Sequence, residues 1–166
     1  MYRRIIVLGA QGSGKSTMAK ELSNKTKIEH FNLDKIVYLN GWKNKHTENQ
    51  IKESINIVAN KDKWILEGFH RNIDKWMSPA FEKADIVLIL DLDRKTLIKR
   101  NLKRALENPL GMYGLFWVHG LIYKSLIYKS KNLNKVIELS KKHNCKYVIL
   151  NTNSAVEEIL MSKDYS

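Results

Sequence analysis

At 166 residues the chain has the length of one domain with room for a real core, and Cys145, its one cysteine, excludes an intramolecular disulfide and a cysteine metal cluster. Its hydrophobic content of 43% is ordinary for a globular protein, and the longest uncharged stretch, 109–123, is too short to span a bilayer. The net charge of +12 is uneven, at +3 over residues 1–93, +11 over 94–146 and −2 over 147–166, so the excess after Asp93 is either a footprint for polyanions or a solvated lysine-rich face.

In chain order, Ile5-Ile6-Val7-Leu8 reads as a short buried strand. Arg3 and Arg4 lead into only these four strongly apolar residues, so no secretory leader is expected and a cytoplasmic location follows. The strand feeds Gly9-Ala10-Gln11-Gly12-Ser13-Gly14-Lys15-Ser16, a complete G-x-x-x-x-G-K-[ST] loop, with Thr17 directly after it. From Ser16 to Lys25 breakers are few, and Met18, Ala19 and Leu22 stand at helical spacing. Strand, loop and helix are in the order that binds a nucleoside triphosphate; a glycine-rich turn that binds nothing is the plainer alternative. The glycines let backbone N–H groups turn inward around phosphate oxygens, and the positive end of the helix dipole adds to them. Lys15 is expected to reach the β- and γ-phosphates and Ser16 to hold Mg²⁺, so ATP and Mg²⁺ are the expected cofactors. Gly9, Gly12, Ser13, Gly14 and Thr17 complete the expected nucleotide-binding set.

A short strand near 28–32 precedes Asp34, and a turn at Asn40-Gly41-Trp42 leads to a helix over 48–59 with Ile51, Ile55 and Val58 on one face. Trp64-Ile65-Leu66-Glu67-Gly68 is a third strand ending in an acid, and Ile86-Val87-Leu88-Ile89-Leu90-Asp91 is a fourth. A helix over 94–106 is broken by Pro109, Gly111 and Gly114. A long helix over 116–142, a fifth strand over 146–150 and a final helix over 155–161 come after it. No repeat or linker interrupts the chain, so residues 1–166 read as one domain. Short apolar strands alternating with helices predict a parallel sheet covered on both faces. Ligands of such sheets bind beyond the carboxyl ends of the strands, where the loop, Asp34, Glu67 and Asp91 all fall.

Several residues admit two readings. Acids at strand ends also cap following helices, which leaves Asp91 and Asp34 open between structural and functional roles. The functional role of Asp34 is to orient or deprotonate an acceptor hydroxyl. Glu67 reads as functional because the glycine after it admits a ligand closely. The chain uses 23 Lys but only six Arg, four of them Arg71, Arg94, Arg100 and Arg104, and a planar fork suits phosphate or a base better than an ammonium does. The histidines lack metal-ligand spacing and read as structural. The aromatic stretch 110–128 reads first as core or lid packing, with a dimer face or a membrane-surface contact as the alternative.

The loop, Trp64-Ile65-Leu66-Glu67-Gly68-Phe69-His70-Arg71, Leu90-Asp91-Leu92-Asp93-Arg94 and Arg100-x-x-x-Arg104 together resemble the adenylate-kinase-like P-loop kinases. Within that group, His30-x-x-x-Asp34, Gly41-Trp42, the Trp-start strand ending acid-Gly and Leu-Asp-x-x-Arg are similar to the small DNA topology modulation proteins, a likeness that runs from residue 3 to about 160. The resemblance implies a three-layer α/β/α P-loop NTPase fold like that of nucleoside monophosphate kinases, with a five-stranded parallel sheet in the order 2-3-1-4-5 and a short lid around 108–116. It implies that Glu67, on the strand beside the loop strand, holds Mg²⁺ through water, although relatives usually carry the shorter Asp there. It implies that Arg71 grips the acceptor phosphate, with His70 standing where those kinases have Pro. Arg100 and Arg104 match a pair that stacks on adenine and holds the phosphates, and 151–154 falls where the family lines the adenine.

Together these residues predict an ATP-dependent phosphotransferase moving the γ-phosphate to a small, phosphate-bearing acceptor, with catalytic roles for Lys15, Arg71, Arg104 and Asp34. Three alternatives stand beside it. One is a kinase of hydroxyl metabolites, and one is a nucleotide-binding scaffold without turnover. The third is a nucleotide-dependent nucleic-acid-binding protein, which the absence of a helix-turn-helix, RNA-binding or zinc motif disfavours.

Overall fold

Ile5, Ile6, Val7 and Leu8 are all buried, because their strand, β1 (Arg4–Gly9), has helices on both sides. The computed structural model describes residues 2–39, 44–68, 72–107, 120 and 133–165. In chain order the strands after β1 are β2 (His30–Asn32), β3 (Tyr38–Leu39), β4 (Asn44–Lys45), β5 (Trp64–Glu67), β6 (Ile86–Leu90) and β7 (Tyr147–Leu150). The helices are α1 (Lys15–Thr26), α2 (Leu33–Val37), α3 (Glu48–Ala59), α4 (Ile73–Trp76), α5 (Ser78–Lys83), α6 (Arg94–Glu107), α7 (Leu133–Lys142) and α8 (Asn153–Met161).

Five strands form one parallel sheet in the order β2-β5-β1-β6-β7. The predicted order, 2-3-1-4-5, differs in its numbering because β3 and β4, an antiparallel pair outside that sheet, intervene in the chain. Strands of two residues carry no period that a sequence can display. The strand bearing Glu67 does lie beside the loop strand, with Val7 opposite Glu67 and Gly9 opposite Leu90. Asn32 is in turn opposite Glu67, so the ends of β2, β5, β1 and β6 converge on one edge of the sheet.

Alternation along β1 divides the core in two. Ile6 and Leu8, with Leu66, Val87 and Ile89, pack against side chains of α2, α3, α4, α5 and α7, among them Leu33, Ile51, Trp76, Phe81 and Val136. Ile5 and Val7, with Ile65, Ile86, Leu88 and Leu90, pack against Met18, Ala19 and Leu22 of α1 and against Val156 and Ile159 of α8. The three layers are therefore helix, sheet and helix. α3 starts as a capping box: the Thr47 hydroxyl accepts from Gln50 N at 3.3 Å, and Thr47 N donates back to Gln50 Oε1 at 2.9 Å. Of the helix predicted over 116–142, the portion from Leu133 is α7. The lid expected around 108–116, the turn at Gly41 and Trp42, and the stretch with His70 and Arg71 lie outside the described residues.

Candidate nucleotide-binding site

The loop leaves β1 at Gly9 and turns into α1 at Lys15. Gly12 and Gly14 take φ of 83° and 92°, left-handed values that cost residues with a Cβ. Ser13 N donates to Ala10 O at 3.2 Å and Met18 N to Gly14 O at 2.9 Å, closing the turn and starting the helix. No side chain caps α1, and no acid stands in its first turn. Its first N–H groups are thus left for an anion, in the field of the helix dipole.

Lys15 is half-buried at this helix start. Its pKa is pushed down from the ordinary 10.5, chiefly by removal from water; the carboxylates of Glu67 and Asp34 oppose the shift and Arg104 adds to it. The charges of Asp34, Glu67 and Arg104 are thus felt at the lysine. A desolvated ammonium in reach of a second positive charge is a strong receptor for phosphate.

Glu67 is 1% exposed and held from two sides. Ser16 donates from Oγ to Glu67 Oε2 at 3.1 Å, and Asn32 donates from Nδ2 to Oε1. His30 Nε2 lies 3.7 Å from the same Oε1. Gly68 admits a helix. A Cβ there would stand 2.8 Å from Leu33 Cβ, at a φ of 132°, so the missing side chain lets α2 approach. Asp34 is not the cap of that helix either: Asn32 accepts Lys35 N at 3.2 Å, and Asp34 sits half-buried in the first turn. Asp93 rather than Asp91 caps α6, accepting Thr96 N at 2.9 Å.

Arg100 and Arg104 of α6 occupy different places. Arg100 donates from one guanidinium nitrogen to the carbonyls of Gly12 (3.3 Å) and Ser13 (2.9 Å), and from another to Asn153 Oδ1 at 3.0 Å. It braces the loop from outside and links it to the start of α8. Arg104, exposed, is the one whose charge reaches Lys15. Ser16 and Thr17 are exposed in the first turn of α1, and Ser13 is buried within the loop at 2% exposure.

Two polar residues at this edge belong to none of the sequence motifs. Asn101 is fully buried and donates to Gln11 O at 3.2 Å; a Cβ on Gly12 would meet its amide at 3.0 Å. Its signal was a polar residue in the buried stripe Leu97, Asn101, Ala105. Asn32 carried the signal of a cap three residues before Lys35.

Residues 5–111 match the family described as AAA domain. The chain belongs to this family. The matched region of this AAA-domain protein holds the loop, Asp34, Glu67, Arg100 and Arg104. Among named relatives, the adenylate kinase of Borrelia turicatae (strain 91E135) is 32% identical over 139 residues, covering 71% of this chain and 65% of its own. That of Encephalitozoon cuniculi (strain GB-M1) is 27% identical over 115 residues, 60% of this chain and 64% of its own. The AAA-domain chain thus spans less than two thirds of either relative. Among solved structures, a shikimate kinase from Bacteroides thetaiotaomicron superposes with a TM-score of 0.57 at 14% identity, over 96% of this chain and 95% of that one. An unliganded sugar kinase from Janibacter sp. HTCC2649 gives 0.55 at 14% identity, over 100% and 96%. The fold is that of P-loop kinases.

Proposed function

We propose that the chain transfers the γ-phosphate of ATP to a small acceptor in a Mg²⁺-dependent reaction. The observation that carries this reading is the contact of Ser16 Oγ with Glu67 Oε2 beside the desolvated Lys15. A hydroxyl and a carboxylate are hard oxygen donors that fit Mg²⁺, an ion that takes few protein ligands and completes its shell with phosphates and water. Ser16 and Glu67 would hold the ion, which neutralises charge on the β- and γ-oxygens when bound.

The chain's own groups supply the rest. The loop N–H groups and Lys15 receive the triphosphate, and Arg104 adds positive charge where the transferred group gathers negative charge. Arg100 and Asn101 hold the loop in shape, so little reorganisation is needed when the nucleotide arrives. The names of the adenylate kinase relatives support the kinase reading.

We favour a phosphate-bearing acceptor gripped by Arg71, a residue outside the described part of the chain. A specific observation supports a second reading, an acceptor hydroxyl: the charge of the Asp34 carboxylate is felt at Lys15, and a carboxylate near the phosphate loop is the group that would take such a proton. A nucleic-acid role, which the likeness to DNA topology modulation proteins raises, draws its support from the basic segment 94–146. There Lys135, 2.7 Å from Asp74, is already paired within the fold. The deciding experiment is phosphoryl transfer from ATP with Mg²⁺ to nucleoside monophosphates, nucleosides and small hydroxyl metabolites. Transfer to monophosphates is the expected result, and ATP binding without transfer to any acceptor would leave only a scaffold.

A further inference from the structure

We infer that Asn32 is a positioning residue for the Glu67 carboxylate and ties it to the helix that carries Asp34. The inference rests on reading Ser16 and Glu67 as the metal side of the site. Asn32 and Glu67 are register partners on adjacent parallel strands, so their side chains leave the sheet at one level. A carboxylate only accepts and a backbone N–H only donates, which fixes the asparagine amide. Its Nδ2 points at Glu67 Oε1 and its Oδ1 at Lys35 N. With Oε1 held there, Oε2 is the oxygen that meets Ser16.

A glutamate with three rotatable bonds does not by itself choose which oxygen it presents to an ion. A hydrogen bond from behind makes that choice, and such partners typically tune metal affinity about 10- to 100-fold. Asn32 is also the N-cap of α2, Asp34 lies in the first turn of that helix, and Leu33 fills the space against Gly68. Metal-side carboxylate, cap and acceptor-side helix thus form one block, hinged on a single amide.

The test separates the cap from the positioning. Asn32→Ser keeps an oxygen able to cap α2 but is too short to reach Glu67. The full-length chain bound to a non-hydrolysable ATP analogue is titrated with Mn²⁺, and free ion is read by electron paramagnetic resonance. Asn32→Ser is expected to weaken Mn²⁺ about 10- to 100-fold, with the metal-free affinity for the analogue unchanged and the melting temperature lowered only as far as one lost hydrogen bond to a buried carboxylate requires. In a Glu67→Gln background the same substitution should cost nothing further, because its effect runs through the carboxylate. Unchanged Mn²⁺ affinity in Asn32→Ser would overturn the inference. So would an equal loss in both backgrounds, or a matching loss of metal-free analogue binding. If Glu67→Gln alone left Mn²⁺ affinity intact, the metal assignment itself would fall and the inference with it.

Discussion

Lys15 shows how one side chain can be costly to keep and still be required. Burial disfavours its charge, and the carboxylates of Glu67 and Asp34 restore part of the balance. Lys15→Ala should therefore leave the fold intact and strip phosphate affinity; calorimetric titration with ATP should show binding weakened beyond detection, and unchanged affinity would remove the assignment. Arg71 and Asp34 divide the acceptor question between them. A phosphate acceptor already carries a nucleophilic oxygen and needs the guanidinium, whereas a hydroxyl acceptor needs a base. With the acceptor found by the transfer screen, Arg71→Ala should lower turnover strongly and Asp34→Asn only mildly. The reverse ranking would establish a hydroxyl acceptor. At this scale the sequence was most legible where spacing is itself the chemistry, as in Gly9 to Ser16. It was least legible where a residue acts across elements: nothing in the order of residues sets Asn32 against Glu67 or Asn101 against the loop, because sheet register does the first and the packing of α6 on the loop does the second.

Among the elements, the long apolar runs of β1 and β6 and the period of α3 were readable because burial on both faces and on one face leave different patterns. The β3–β4 pair and the short helices α2, α4 and α5 were not, since none is long enough to show a period. One junction between elements carries a pH dependence. Asp85, just before β6, accepts from Arg3 N and Arg4 N at 2.8 Å each and from the Arg4 guanidinium at 3.0 Å, tying the entry of β1 to that of β6. Burial alone would raise its pKa, but these donors outweigh burial and hold it below 3.8. The stability that Asp85 contributes is therefore fully present above its unfolded value and is lost as pH falls through the lower folded value. Asp85→Asn should cost about 1–3 kcal/mol at neutral pH and flatten the fall in stability below pH 3.8. Denaturant melts across that range check both. Cys145, by contrast, is held up to about 11 by burial and by Asp85, the profile of an inert packed thiol.

Across the whole molecule the charge excess divides into two populations. Arg100 and Arg104 belong to the loop edge, while Lys95, Lys99 and Lys103 are exposed on α6 at successive four-residue steps and share a face. If those lysines only solvate the helix, changing all three to glutamine should leave kinase kinetics nearly unaltered, and the parent should show no submicromolar duplex binding at physiological salt. Duplex binding of that strength, falling steeply with salt in the parent and lost in the triple variant, would assign the face to nucleic acid.

The order of the sheet also has a consequence in time. β1 is made first, yet its two partners, β5 and β6, begin at Trp64 and Ile86, so the phosphate loop has no rigid base until more than half the chain exists. Closing such distant parallel contacts is slow, because loop entropy is lost before pairing repays it. The nucleotide site is thus expected to form after the local helices have formed, so that ATP would not template the earliest steps of folding. In pulse-labelled refolding, the amides of Ile5 to Leu8 should gain protection together with those of β6, after the amides of α3.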